Sequence, residues 1–504
     1  MRNQIGIGTI ISYLNIVLNM IISIFFTPFL ISSLGAGEYG VYRIVQSFSG
    51  QLSIMSFGIA ALIVRNIVYY NTKKLKIEKE NFLFLAMLIS YILGFLILLA
   101  GGGLYLFIDK IYSNSLSIEE IVLAKRLFIL LVINIAITII SDSYMGIIMA
   151  HEKFIISNGI RTFRLILRIT IITILLKLGV KSIGIVISDL GVSLLLFLFM
   201  VAYNRVILKE RAKFYYLDKE MLKLSFSFSS AIFLQAIINQ VNQNVDNIIL
   251  GIMTTSNIVT LYSVALVLYT SFNSIVSAIG GMFGPQATRL IAANASKREL
   301  TDFVIGPGRI QLIIAGLIIT GFILFGKNFL KIWVGDDFLE AYYIALILMI
   351  PVIIPLIANV TNALLDAMLK RMGRSVILFV MCIINVIISI LLIRKIGYIG
   401  AALGTAISLI FGHGILLNIY LKKIIGLQIF RMLKEIFKGI WLGNLVAIIL
   451  GMILLKLPNT VTGFLLKVIF YTLIYSGCIY LIGINKKERL YIKNFFNIRG
   501  KVNG

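Results

Sequence analysis

Three arginines lie in a stretch that is otherwise apolar enough to enter a bilayer. Residues 155–176 carry Arg161, Arg164 and Arg168. Their i, i+3, i+7 spacing puts all three on one face of a helix. With that helix entering from the cytoplasm near Phe154, Arg168 lies roughly 20 Å along it, at about 1.5 Å per residue. That depth is past the middle of a hydrocarbon core about 30 Å thick. A cation there is costly unless it meets a watery cavity, a counter-ion or an anionic ligand. Guanidinium stays charged and donates two parallel hydrogen bonds, a geometry that suits phosphate and pyrophosphate oxygens. Arg161 and Arg164 can instead snorkel to the headgroups, but Arg168 is too deep for that. The expectation is a cationic cavity that admits an anionic substrate from the cytoplasm.

Other polar residues fall inside apolar runs. Asp142, on the preceding helix, can neutralise Arg161 or Arg164 or take part in ion coupling. Asp189, on the following helix, can answer Arg168 or reach the outer interface. The first apolar run carries Ser12, Asn15, Asn19 and Ser23 at i, i+3, i+7, i+11. The seventh carries Gln235, Asn239, Asn242 and Asp246 at i, i+4, i+7, i+11. Such stripes either line a shared cavity or glue helices together. Arg43, Arg65 and Arg289 stand at the ends of apolar runs, as interfacial anchors or as further cavity cations. The candidate substrate-binding set is Arg161, Arg164, Arg168, Arg43, Arg65, Gln235, Asn239, Asp246 and Arg289. Asp142 and Asp189 are candidates for charge pairing or ion coupling.

These residues need membrane helices to hold them. The chain has 504 residues, 60% hydrophobic and 13% charged, the composition of a polytopic α-helical membrane protein. About fourteen runs are long enough to span a bilayer: 8–31, 41–69, 82–108, 121–149, 155–176, 182–203, 221–250, 258–284, 308–332, 341–366, 374–394, 398–420, 437–456 and 462–484. The first is too long for a signal-peptide core and is read as a retained helix. The net charge of +25 follows topology rather than nucleic acid. About 30 of the 46 Lys and Arg fall on alternate loops and the two ends, about 10 on the other loops, which puts both termini in the cytoplasm. Two six-helix lobes related by an axis along the membrane normal are expected. They are 1–204 and 221–420, joined by a basic cytoplasmic linker at 205–220, with two additional helices and a basic tail at 421–504.

The sequence offers no reaction to catalyse. GFILFGK (321–327) fits the opening of a phosphate-binding loop, but Asn328 follows where Ser or Thr is needed and no strand precedes it. His151 and His413 form no metal-ligand cluster, and no nucleophile–base set or paired carboxylates stand out. No cofactor and no metal are expected, and movement of a substrate is the default function.

Four stretches carry a family resemblance. FLISSLGAGEYGVYRIVQSFSG (29–50), VDNIILGIMTTSNIVTLYSVALVL (245–268), MFGPQATRL (282–290) and GYIGAALGTAIS (397–408) resemble, in this order, segments of bacterial polysaccharide-export flippases of the Wzx type. That family belongs to a superfamily with the lipid II flippases and the multidrug and toxin extrusion antiporters. The resemblance implies two six-helix lobes around a central cavity and alternating access. It implies transport of an undecaprenyl-pyrophosphate-linked oligosaccharide across the bacterial plasma membrane, with the lipid bilayer, a polysaccharide polymerase and chain-length proteins as partners. The last two spans also fit the lipid II flippase branch, in which such helices form a groove for the lipid tail. Only the position of Asp246 and a cationic first lobe carry over from the family. The competing readings are a lipid II flippase, a cation-coupled drug antiporter and a scaffold or polymerase of glycan synthesis. An organic-cation exporter should present acidic and aromatic cavity residues where this chain has arginines, and a polymerase should have a large outer loop.

Overall fold

The computed structural model describes residues 2–56, 58–217, 219–278, 283–368, 370–485 and 488–489. Among these residues the regular structure is helical throughout. By packing the chain divides into two units, Met1–Ser263 with Ile393–Ala401, and Val264–Leu392 with Ala402–Gly504. This boundary falls inside the eighth predicted span rather than in the 205–220 linker.

The first unit is built on α1 (Arg2–Leu34), α2 (Ala36–Gly50), α3 (Ile59–Lys73), α4 (Lys76–Tyr112), α5 (Ile118–Ala150), α6 (Phe154–Lys177), α7 (Ser182–Ala202) and α8 (Lys219–Met253). The start of α9 (Ser256–Ser277) belongs to it as well. The predicted second span, 41–69, lies within Ala36–Lys73, one membrane-crossing segment whose helix changes pitch along its length. A 3-10 turn at Gln51–Ser56 ends α2, and Gly58, at φ 66°, starts α3 from a left-handed conformation that side chains disfavour. α5 packs against α3, α4 and α7, and its start is fixed by a capping box between Ser117 and Glu120. The apolar core joins Ile63, Ile67, Phe82 and Leu83 to Ile147 and Leu196.

α4 has 37 residues, about 55 Å of helix against a hydrocarbon core of about 30 Å. Its first turns therefore have length to spare beyond the bilayer. The segment after α7 folds back on those turns. The Asn81 side chain receives the Tyr215 and Tyr216 amides at 2.9 and 3.2 Å and donates to the Tyr216 carbonyl at 2.9 Å. Tyr215 donates its hydroxyl to Glu80 at 2.7 Å. Glu210 takes Lys79 at 2.9 Å and His151 at 2.8 Å.

The second unit contains the rest of α9, α10 (Gly284–Ala292), α11 (Lys297–Trp333), α12 (Ala341–Ile357), α13 (Val360–Ala367), α14 (Arg371–Ile396), α15 (Ile399–Leu409), α16 (Leu417–Ile424), α17 (Ile429–Phe437), α18 (Ile440–Gly451) and α19 (Val461–Cys478). The 393–401 segment at the α14–α15 junction packs with the first unit. Buried Arg309 of α11 is a local staple. It donates to the carbonyls of Glu435, Lys438 and Gly483 at 2.6–3.0 Å and pairs with Glu488 at 2.6 Å. One guanidinium thereby closes otherwise open carbonyls at helix ends.

Eleven helical segments are long and apolar enough to cross a membrane, or twelve if α12 and α13, bent by 41°, form one span. The protein is a multi-pass membrane protein. The predicted spans outside this count are α6, which carries the three arginines, and α8, where Asn244–Met253 is the apolar stretch among the described residues. Large apolar side chains such as Phe95, Leu99, Leu391 and Ile449 point outward, as expected where lipid is the solvent.

Candidate functional site

α6 and α7 pack on each other, and their polar residues meet in antiparallel register. Arg168 and Arg164 are one turn apart on α6, and Asp189 and Ser193 are one turn apart on α7. Arg168 meets Asp189, and Arg164 donates to Ser193 Oγ at 3.1 Å. The Arg168 guanidinium is bidentate. Its Nε donates to one carboxylate oxygen of Asp189 and its Nη2 to the other at 3.2 Å. The fork geometry makes this a strong, directional pair. Of the two alternatives open to Asp189 in the sequence, it takes the counter-ion role.

Of the outcomes open to Arg168 in the sequence, the structure shows the counter-ion. The residue is deep, but a carboxylate on the next helix neutralises it. Arg161 and Arg164 differ. Among the described residues neither makes an ion pair within 4.0 Å. Together with Asp142, Thr138, Ser141 and Ser193 they line a cavity of about 110 Å³ between α5, α6 and α7. Asp142 looks into the same cavity and feels both arginines, without an ion pair to either. Arg161 is exposed and Arg164 half-buried.

A second cluster lies beside the Arg168–Asp189 pair. Tyr42 of α2 is an electrostatic neighbour of Arg168. Its neighbour Arg43 donates to Ser263 Oγ at 3.2 Å and to Gln46 Oε1 at 3.1 Å. Both partners of Arg43 are neutral. Arg43, Arg161, Arg164 and Arg168 thus stand against Asp142 and Asp189, and the net charge of this part of the unit is positive.

The face of α2 that carries Arg43 packs on α8 and the start of α9. Thr260 Oγ1 donates to the Ala36 carbonyl at 2.5 Å, and Asn247 Nδ2 donates to Ser47 Oγ at 3.2 Å. A Cβ on Gly40 would run into the Ser256 carbonyl, so close approach requires glycine there. Asp246 is buried and accepts the Tyr262 hydroxyl at 2.6 Å, which places it in helix packing. Two of the stretches that carry the family resemblance therefore form one interface.

The remaining predicted residues are dispersed. Asn15 is buried and ties α1 to α6: it donates to the Asn158 carbonyl at 3.2 Å and accepts from Thr162 at 2.6 Å. Gln235 donates to Asn239 along α8 at 3.0 Å, and Asn239 and Asn242 are exposed. Arg65 is exposed on α3, and Arg289 is exposed on α10 of the second unit. Tyr42, Gln46, Ser193 and Ser263 escaped the sequence reading. Ser193 had a usable signal, because it repeats the Arg164-to-Arg168 offset from Asp189. The others are uncharged residues with no signature of their own.

Residues 5–285, more than half of the chain, match the family described as polysaccharide biosynthesis protein. An uncharacterized membrane protein, EpsK of Bacillus subtilis (strain 168), is 20% identical over 96% of this chain and 97% of its own length. Among solved structures, the lipid II flippase MurJ in an inward closed conformation aligns with a TM-score of 0.70 at 16% identity, covering 94% of this chain and 98% of that one. An inward-facing multidrug resistance MATE family transporter of the MOP superfamily aligns with a TM-score of 0.63 at 14% identity, covering 81% and 96%. At these identities the structures establish the fold, which is that of MurJ and the MATE transporters.

Proposed function

The chain belongs to the polysaccharide biosynthesis protein family, and from that premise we propose that it is a flippase for an undecaprenyl-pyrophosphate-linked oligosaccharide. It acts in the bacterial plasma membrane, by alternating access, in the assembly of a surface polysaccharide. The observation that carries this reading is the pair Arg161 and Arg164, two cations that line one cavity with Asp142 and that make no ion pair within 4.0 Å among the described residues. An anion is the ligand that lowers their energy there. The pyrophosphate supplies it, and the guanidinium forks suit its oxygens.

The lipid tail makes the opposite demand, since it is at home in hydrocarbon. An apolar groove of about 340 Å³ between α11 and α19 is lined by Phe322, Phe325, Phe329, Phe464, Val468 and Tyr471. Within the second unit this groove is the natural rest for an isoprenoid chain. On this reading the basic residues at the end of α3, at the start of α4 and just after α7 lie on the cytoplasmic side, both termini with them. The second reading is a lipid II flippase, favoured by the TM-score of 0.70 to MurJ and by the additional helices. A drug antiporter fits the arginines poorly.

Deletion of the gene tests the proposal, with lipid-linked oligosaccharide measured by mass spectrometry alongside surface glycan. Accumulated intermediate, lost surface glycan and viable cells are the expected result. Lysis with accumulated cell-wall precursor would point to the second reading. Normal glycan with altered drug sensitivity would overturn both.

A further inference from the structure

At the basic end of the first unit, away from the intramembrane arginines, lies a cavity of about 650 Å³. Its cationic lining is Lys76 at the start of α4, Arg205 just after α7, and Arg211 and Lys213 in the segment folded back across α4. Among the described residues none of these four makes an ion pair within 4.0 Å. The carboxylates in the same wall are already engaged. Glu210 is held by Lys79 and His151, and Glu80 accepts the Tyr215 hydroxyl. The floor is apolar and aromatic, formed by Leu83, Met87, Ile147 and Tyr144, and Tyr215 stands at the side with Lys213 over its ring at 5.2 Å.

Three features distinguish this cavity from an ordinary basic surface. The cations come from three separate segments and converge on one space. The backbone that carries Arg211 and Lys213 is fixed by the Asn81 and Glu80 hydrogen bonds, with the Lys213 amide bonded to the Glu80 carbonyl at 3.1 Å. The volume lies within the range of about 300–1,000 Å³ usual for small-molecule sites, much more than a lone phosphate needs. A ligand that fits carries two adjacent anionic groups for the four cations and a ring for the Tyr215 and Tyr144 faces.

We propose that this cavity is a second, water-accessible binding site for a diphosphate joined to a ring, separate from the Arg161–Arg164 cavity. A soluble nucleoside diphosphate and the diphosphoglycosyl head of a carrier lipid share that chemistry. The site does not depend on the flippase reading, because its four cations stand at the start of α4, just after α7 and in the segment that follows.

The test uses the full-length protein in phosphatidylcholine nanodiscs, which lack anionic lipid, titrated with uridine diphosphate by calorimetry. Saturable binding that weakens with salt is expected. The variant Arg205→Gln/Arg211→Gln/Lys213→Gln should weaken it at least about tenfold, because charge-assisted bonds are lost. Those side chains are exposed and make no ion pair among the described residues, so folding is preserved, which the melting temperature checks. Lys110→Gln, an exposed cation in the last turn of α4 and outside both cavities, should leave the binding unchanged. Undecaprenyl pyrophosphate in the nanodisc then separates the sources. Competition with uridine diphosphate assigns the site to the lipid head, and independence assigns it to the soluble diphosphate. No saturable binding, or equal binding by the triple glutamine variant, would overturn the proposal.

Discussion

Arg164 and Arg168 are one helical turn apart, yet two residues on α7, Ser193 and Asp189, give them different roles. Arg168 faces a carboxylate and Arg164 faces a hydroxyl. Removing one partner of a partly buried ion pair leaves the other uncompensated. Arg168→Gln and Asp189→Asn should therefore each lower the melting temperature of the purified protein. The double variant should lose less than the sum, with a coupling of about 1–3 kcal/mol in a double-mutant cycle. Strict additivity would mean that the pair contributes nothing. Arg164→Gln should behave in the reverse way, with melting nearly unchanged. Glycan export in a deletion strain should fall at least about tenfold, since a lost charge-assisted bond is worth about 1.5–3 kcal/mol and 1.4 kcal/mol is a factor of ten. Arg164→Lys should recover part of it, because charge survives while the planar fork does not. Full export by Arg164→Gln would remove the residue from the substrate path.

At the scale of elements, the segment after α7 makes a pH prediction. Burial pushes the Glu210 carboxyl up, but the hydrogen bonds from His151 and Lys79 outweigh it and hold the group below its ordinary 4.5. A carboxyl lowered on folding stabilises the folded arrangement above its unfolded value and loses that contribution as pH falls through the folded one. A nitroxide on Ala212→Cys should thus report an immobile segment from pH 8 down to about 4.5 and a progressively more mobile one as the pH falls further. With Glu210→Gln it should be mobile throughout. Spectra independent of pH and of the substitution would show that Asn81 and Glu80 alone hold the segment. This clasp was not legible in the sequence, because its partners lie far apart in the chain and a lone Asn or Glu carries no pattern. The apolar helices were legible, since bilayer thickness imposes their length. So was the Arg168–Asp189 match, since buried charge demands a partner. The 3-10 turn at Gln51–Ser56 was hidden by continued hydrophobicity, and the Gly40 contact needs two helices in place before glycine acquires a meaning.

At the scale of the whole molecule, the proposed function asks one protein to solvate two unlike parts of a substrate. The first unit holds an uneven charge balance, and the second holds an apolar groove lined by phenylalanines. If the groove carries the tail, filling it should matter only for substrates long enough to reach it. Gly321 lines the groove beside the Tyr471 ring, and a Cβ there meets that ring at 3.5 Å, an ordinary contact. A small side chain is therefore tolerated while a large one occupies the space. Gly321→Trp should fold, as judged by melting, and should lose transport of a substrate with an undecaprenyl tail in reconstituted vesicles. It should retain transport of the same pyrophosphate glycan on a ten-carbon isoprenoid. Gly321→Ala should transport both. Equal loss with both tails would assign the groove to helix packing alone, and no loss with either would place the tail elsewhere in the bilayer. The arginine variants give the complementary pattern, because the pyrophosphate is common to both substrates: Arg164→Gln should impair them alike, whatever the tail length.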